Sequence, residues 1–117
     1  AGLLWVLPPS FHAVQAPPGG AVLELREGAM ASVAVVRNFD GNRSLLVNNR
    51  FAMGGTGAAS AAQRHAHIPL LLHPDPRRAL FLGVGTGITM GAAAVYDGLE
   101  VDGVELVPEV LDVRSHF

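Results

Sequence analysis

The sequence predicts an α/β chain in which a small N-terminal antiparallel β region precedes the first β-α-β-α part of a parallel-sheet domain. Three observations carry this. Residues 21–27, 31–37 and 43–49 alternate or cluster apolar residues as strands do, with Asp40-Gly41 as a hairpin turn between the last two. The continuous apolar run ArgAlaLeuPheLeuGlyVal at 78–84 suits a buried parallel strand and leads into the spaced glycines Gly83, Gly85 and Gly87. A second strand candidate at 99–106 ends near Glu105, 22 residues after Gly83.

Composition bounds what the chain can be. It has 117 residues, half of them apolar and 15% charged, enough for one small domain with a core. Its net charge of −2 and scattered arginines provide no electrostatic footprint for nucleic acid. The absence of cysteine excludes disulfides, thiol catalysis and Cys-ligated zinc. Residues 1–20 read as an apolar arm and linker, closed by the AlaProProGlyGly run at 16–20. The opening stretch is far shorter than the roughly 20 apolar residues a membrane span needs. It reads either as a soluble arm anchored by Trp5 or as the tail of a span in a longer parent chain.

The elements follow in order. Residues 21–59 form the β-hairpin region, with 51–59 read as a Gly- and Ala-rich loop. Residues 60–117 form the partial second domain. Ser60 is the expected N-cap of a helix reaching His73, with Pro69 kinking or ending it. HisProAspPro at 73–76 is a turn, Ile88–Tyr96 a short helix, and Pro108 a first-turn residue of a last helix. The strand, glycine turn, helix, strand and acid together form the β-α-β unit of a Rossmann-like nucleotide-binding fold.

The chemistry needs these residue types for stated reasons. Glycine permits backbone angles that a Cβ disfavours, and it lets a ligand approach the main chain closely. A carboxylate at Glu105 can accept hydrogen bonds from both hydroxyls of an adenosine ribose. The residue three after Gly85 is Ile88, not glycine, which disfavours a dinucleotide. No Walker lysine follows, which disfavours a nucleoside triphosphate. The remaining candidate is S-adenosylmethionine or a relative, bound as co-substrate with no tightly held cofactor.

HisIleProLeuLeuLeuHisProAspProArgArgAlaLeuPheLeuGlyValGlyThrGly at 67–87 resembles the segment entering the nucleotide loop of the spermidine synthases, the polyamine aminopropyltransferases. ValGluLeuValProGluVal at 104–110 resembles their acidic-loop segment, and the 31–49 hairpin their small β domain. The resemblance covers about 24–117 and is specific over 63–110. Phe81, two residues before Gly83, is apolar as in that family, where methyltransferases commonly carry an acid. The resemblance implies a Rossmann-like S-adenosylmethionine-dependent transferase domain that moves an aminopropyl group from decarboxylated S-adenosylmethionine to an amine such as a polyamine.

It also implies that Gly83, Gly85, Thr86, Gly87, Glu105 and Gln63 hold the nucleoside, while His67 lines the substrate pocket. Departures are visible. Ala62 and Arg64 flank Gln63 where the family has Tyr and Glu, and Thr86 stands where it often has Asp. Small residues near Ala31 and Ala52 replace its Gln positions. The family's catalytic Asp follows a later strand, beyond Phe117, so no catalytic residue is assigned and the chain is expected to be a fragment. A small-molecule methyltransferase and a degenerate, non-catalytic nucleoside-binding module remain alternatives. An unpaired apolar strand edge predicts a homo-oligomer. The expected location is cytoplasmic, or at the membrane within a longer chain.

Other residues have plainer readings. His65 and His67 are two apart, so on a helix they face apart, and no metal site is expected. His12, His73 and His116 read as isolated, Asp102, Arg77 and Arg78 as solvated, and Glu109 as a first-turn acid favouring its helix dipole.

Overall fold

The computed structural model describes residues 14–117. Trp5, Ser10, His12 and the first part of the arm lie outside the described residues. Four strands form an antiparallel meander: β1 (Ala21–Glu27), β2 (Ser32–Arg37), β3 (Arg43–Val47) and β4 (Phe51–Gly55). Helix α1 (Ala59–Leu72) follows. Then come β5 (Arg78–Leu82), α2 (Ile88–Ala93), β6 (Glu100–Val104) and α3 (Pro108–Asp112). Strands β5 and β6 pair in parallel, with Leu80 opposite Asp102 and Leu82 opposite Val104. The α/β class and the order of its two parts agree with the sequence reading.

The β2–β3 turn is built as Asp40-Gly41 suggests. Gly41 has φ 84° and donates to the Asn38 carbonyl, while the Asp40 carboxylate accepts the Asn42 N–H at 2.9 Å. That hydrogen bonding, first from the Asn42 side chain, holds the Asp40 carboxyl below its ordinary pKa. One strand was not expected. Asn48 and Asn49 both adopt positive φ, 53° and 50°, and turn the chain back so that 51–55 pairs with β3. The loop expected at 51–59 is therefore β4 plus a 3₁₀ turn at Thr56–Ala58.

That turn also corrects the start of α1. Its N-cap is Ala58, with no side-chain cap, and Ser60 sits inside the helix. The Ala59 N–H already donates to the Thr56 carbonyl, so the preceding turn supplies what a capping hydroxyl would. Thr56 in turn accepts the Arg43 N–H at 2.9 Å, tying the helix entry to β3. Pro69 is accommodated within the helix, which ends at Leu72. Helix α2 stops at Ala93, earlier than expected.

Three buried clusters organise the described residues, the smallest being Val14 with Ala34 and Val36 of β2. Val33, Val35 and Leu45 of the meander are fully buried together with Val110 and Val113 from the C-terminal end. Ala66 and Leu70 of α1 pack with Ala92 and Ala93 of α2 over Phe81 and Val101. Small side chains at Ala66, Ala92 and Ala93 let the two helices approach. The expectation that β5 is buried on both faces does not hold among the described residues: Ala79 and Phe81 face the helices, while Leu80 is 62% and Leu82 78% exposed. The reason is that α1 and α2 cover one side of β5–β6, and no described element covers the other. No helix of the described residues is long and apolar enough to cross a membrane.

Candidate functional site: a glycine loop braced by Glu105

The loop between β5 and α2 bends through three glycines with positive φ: Gly83 at 84°, Gly85 at 53° and Gly87 at 79°. A Cβ built on Gly83 or Gly87 would meet nothing within 4 Å. Their requirement is therefore the left-handed backbone, not crowding, and the space above them is open. Gly85 differs, because its Cβ position lies 3.5 Å from the Met53 carbonyl oxygen. Strand β4 thus passes directly over the loop.

Glu105, just past the end of β6, reaches into this loop. Its Oε2 accepts the N–H groups of Val84 and Gly85 at 2.9 and 3.1 Å. Its Oε1 accepts those of Leu106 and Val107 at 2.9 and 3.1 Å. Burial of the carboxyl raises its pKa, but the four N–H groups, Gly85's foremost, outweigh this and hold it below the ordinary value. Glu105 thus staples the glycine loop to the β6–α3 turn, a contact that the sequence did not reveal.

The expected residues fall into two adjoining cavities. Gly83, Gly85, Thr86 and Glu105 line one of about 510 Å³, together with Met53, Gly54 and Gly55 of β4. Gln63, His67, Thr86 and Gly87 line another of about 740 Å³. Thr86 and Val84 border both. Gln63 and His67 lie four apart on α1, on the face that also carries Ala59. His65 lines the first cavity instead, so the two histidines do face apart. The His67 Nδ1 pairs with the Tyr96 hydroxyl at 2.9 Å, which orients the ring at the cavity wall. Ala31 and Ala52 line neither cavity.

Sequence reasoning missed Met53 and Gly54, because the fourth strand was read as loop. The Asn48-Asn49 pair was the signal, since asparagine tolerates the positive φ of a tight hairpin. His116 also needs correction: it is not isolated but pairs its Nε2 with Glu24 of β1 at 2.6 Å. This hydrogen bond, followed by that from Arg26, holds the Glu24 carboxyl below its ordinary pKa. Glu109 lies in the first turn of α3 as expected, but its Oε2 is buried without a hydrogen-bond partner. Arg78 is exposed yet bridges to Glu100 at 3.2 Å and Asp102 at 3.5 Å across β6. Among the described residues no cluster of three His, Asp or Glu side chains stands ready for a metal ion.

Fold and loop together define a class: a β meander followed by a Rossmann-like unit with a G-x-G-x-G turn and an acid after the second parallel strand. Comparison with known proteins gives that class particular members. The chain is 27% identical over 97 residues to the polyamine aminopropyltransferase of Methanocaldococcus jannaschii, covering 82% of this chain and 33% of that protein. It is 23% identical over 92 residues to the one of Lachnoclostridium phytofermentans, covering 78% and 32%. Among solved structures it superposes on spermidine synthase from Thermotoga maritima with a TM-score of 0.73 at 20% identity, covering 82% of this chain and 33% of that one. A spermidine synthase in complex with the transition-state analogue AdoDATO gives 0.72 at 20% identity, covering 82% and 34%. No family model matches the chain. The curated relatives are aminopropyltransferases and the structural neighbours spermidine synthases, as the sequence resemblance implied, and the chain spans about a third of their length.

Proposed function

We propose that this chain supplies the nucleoside-holding part of a spermidine synthase-like transferase, which takes S-adenosylmethionine or its decarboxylated form as co-substrate and passes an aminopropyl group to an amine. The observation that carries this reading is the placement of Glu105 beside the positive-φ loop of Gly83, Gly85 and Gly87, at one cavity under β4. The open space above Gly83 and Gly87 allows a nucleoside to lie against the main chain. His67, across Thr86, borders the adjoining cavity where the acceptor would lie, and Gln63, expected on the nucleoside, lines that cavity too, where the two ligands would meet. Transfer would proceed by displacement at a carbon next to the sulfonium, so the site's contribution is to hold donor and acceptor in line.

A second reading, a nucleoside-binding module without transfer chemistry, has one observation in its favour. Ala62 and Arg64 flank Gln63 where the family has Tyr and Glu, and Thr86 stands where it often has Asp. Calorimetric titration with methylthioadenosine, the nucleoside product, tests what the two readings share. Binding that weakens at least about tenfold, equivalent to about 1.4 kcal/mol, in Glu105→Ala supports the nucleoside site. No heat from folded wild type refutes it. Release of methylthioadenosine from decarboxylated S-adenosylmethionine with a polyamine, assayed on a chain of the relatives' full length, then separates transferase from binding module.

A further inference from the structure

We infer that Glu24 of β1 is a positioning residue for the cavity bordered by Gln63 and His67: through His116 it holds the turn after α3 that forms one wall of that cavity. The inference rests on the reading above only for what the cavity receives. Arg114, Ser115 and Phe117 line the cavity together with Gln63 and His67 of α1 and Met90 of α2. The wall has little to hold it by itself. It is a single 3₁₀ turn, Arg114–His116, closed by the His116 N–H on the Val113 carbonyl at 3.2 Å and the Phe117 N–H on the Arg114 carbonyl at 3.0 Å. It is fixed to the meander by the 2.6 Å hydrogen bond between His116 Nε2 and Glu24 Oε2, and by Phe117 packed on the core of Val33, Val35 and Leu45. Glu24 reaches this face because of a bulge. Val22 pairs with Val36 but Glu24 with Val35, so Leu23 is an extra residue in β1. In unbroken register Glu24 would oppose Ala34 and share its face with Val14, away from α3. The slip sets it instead beside Val35, on the face where Val110 and Val113 pack. Arg26 donates its Nε to Glu24 Oε1 at 2.7 Å, which fixes the carboxylate and leaves Oε2 to His116. The His116 and Glu24 side chains are only 25% and 22% exposed, so water competes for their bond less than at an open surface.

Amide hydrogen exchange on the 117-residue chain tests the hold without any ligand. In Glu24→Ala and in His116→Ala the His116 and Phe117 amides should exchange at least about threefold faster, while those of Val33 and Val35 keep their rates. Combining the two changes should add nothing to either alone. His116→Gln, whose side-chain amide donates as the imidazole does, should recover part of the protection. Unchanged exchange in the turn overturns the inference. So does an equal loss in β2, which would make the pair a general stabilising contact. Titration then reads the cavity. With methylthioadenosine present, 1,4-diaminobutane should bind Glu24→Ala at least about threefold more weakly than wild type, because a loosened wall must be ordered on binding. Methylthioadenosine, whose own cavity the turn does not line, should bind both alike. Equal diamine affinity for the two proteins overturns the positioning role. A wild type that takes no diamine while its turn responds as expected supports the hold on the cavity wall and refutes the acceptor reading.

Discussion

At the scale of single residues, the Glu105 carboxylate joins the glycine loop to the β6–α3 turn, reinforcing the backbone bond from the Gly83 N–H to the Val104 carbonyl. Its lowered pKa has a definite consequence for stability. A carboxyl whose folded pKa lies below its unfolded one, about 4.3 for Glu, contributes stability that is fully present above the unfolded value. That contribution is lost as pH falls through the lower folded value. Solvent screens this partly exposed carboxylate, so Glu105→Gln is expected to destabilise the chain by about 0.5–1 kcal/mol at neutral pH, and the gap to wild type should close as pH drops below about 4. Urea unfolding of both proteins at neutral and acid pH measures it; a gap independent of pH would mean that the carboxylate charge does not brace the loop. The glycines and the acid were legible in the sequence because their types and spacing are local. The brace was not, since which N–H groups a carboxylate meets depends on how the β6–α3 turn folds back on the loop.

At the scale of elements, β4 is the piece that turns a glycine loop into a cavity, and its pairing with β3 depends on Gly55. A Cβ there would collide with the Arg43 carbonyl oxygen and approach the Ser44 Cα at 3.1 Å, both backbone atoms of or beside the paired strand. Gly87 presents the opposite case, an open position with φ 79°. Gly87→Ala should therefore cost only the left-handed backbone term, about 1–2 kcal/mol. Gly55→Ala should cost more and also weaken methylthioadenosine binding, because β4 must move off the loop. Thermal unfolding together with the same titration checks both, and a Gly55→Ala protein as stable as Gly87→Ala would contradict the close strand approach. The sequence disclosed β1, β2 and β3 through alternation and an Asp-Gly turn. Strand β4 escaped because PheAlaMetGlyGly has neither β-branched residues nor polar alternation, and its strand state comes from pairing with β3.

At the scale of the whole molecule, the parallel pair β5–β6 presents an apolar face: Leu80 and Leu82 are joined across the pair by Val104, 55% exposed. Parallel sheets are ordinarily covered on both faces. We propose that this face drives self-association of the 117-residue chain, and the double variant Leu80→Gln/Leu82→Gln should sediment as a smaller species than wild type at the same concentration. Identical sedimentation of the two would remove the face as the cause. The sequence by itself determined the α/β class, the order of its two parts, the glycine turn and the spaced acid, because these depend on local backbone preference and on patterns within a few residues. Only the tertiary structure decided that a fourth strand roofs the loop, that Val110 and Val113 complete the core of the first sheet, and that His116 meets Glu24. Each of these joins residues far apart in the chain, where the free energy comes from packing and pairing that no local pattern encodes.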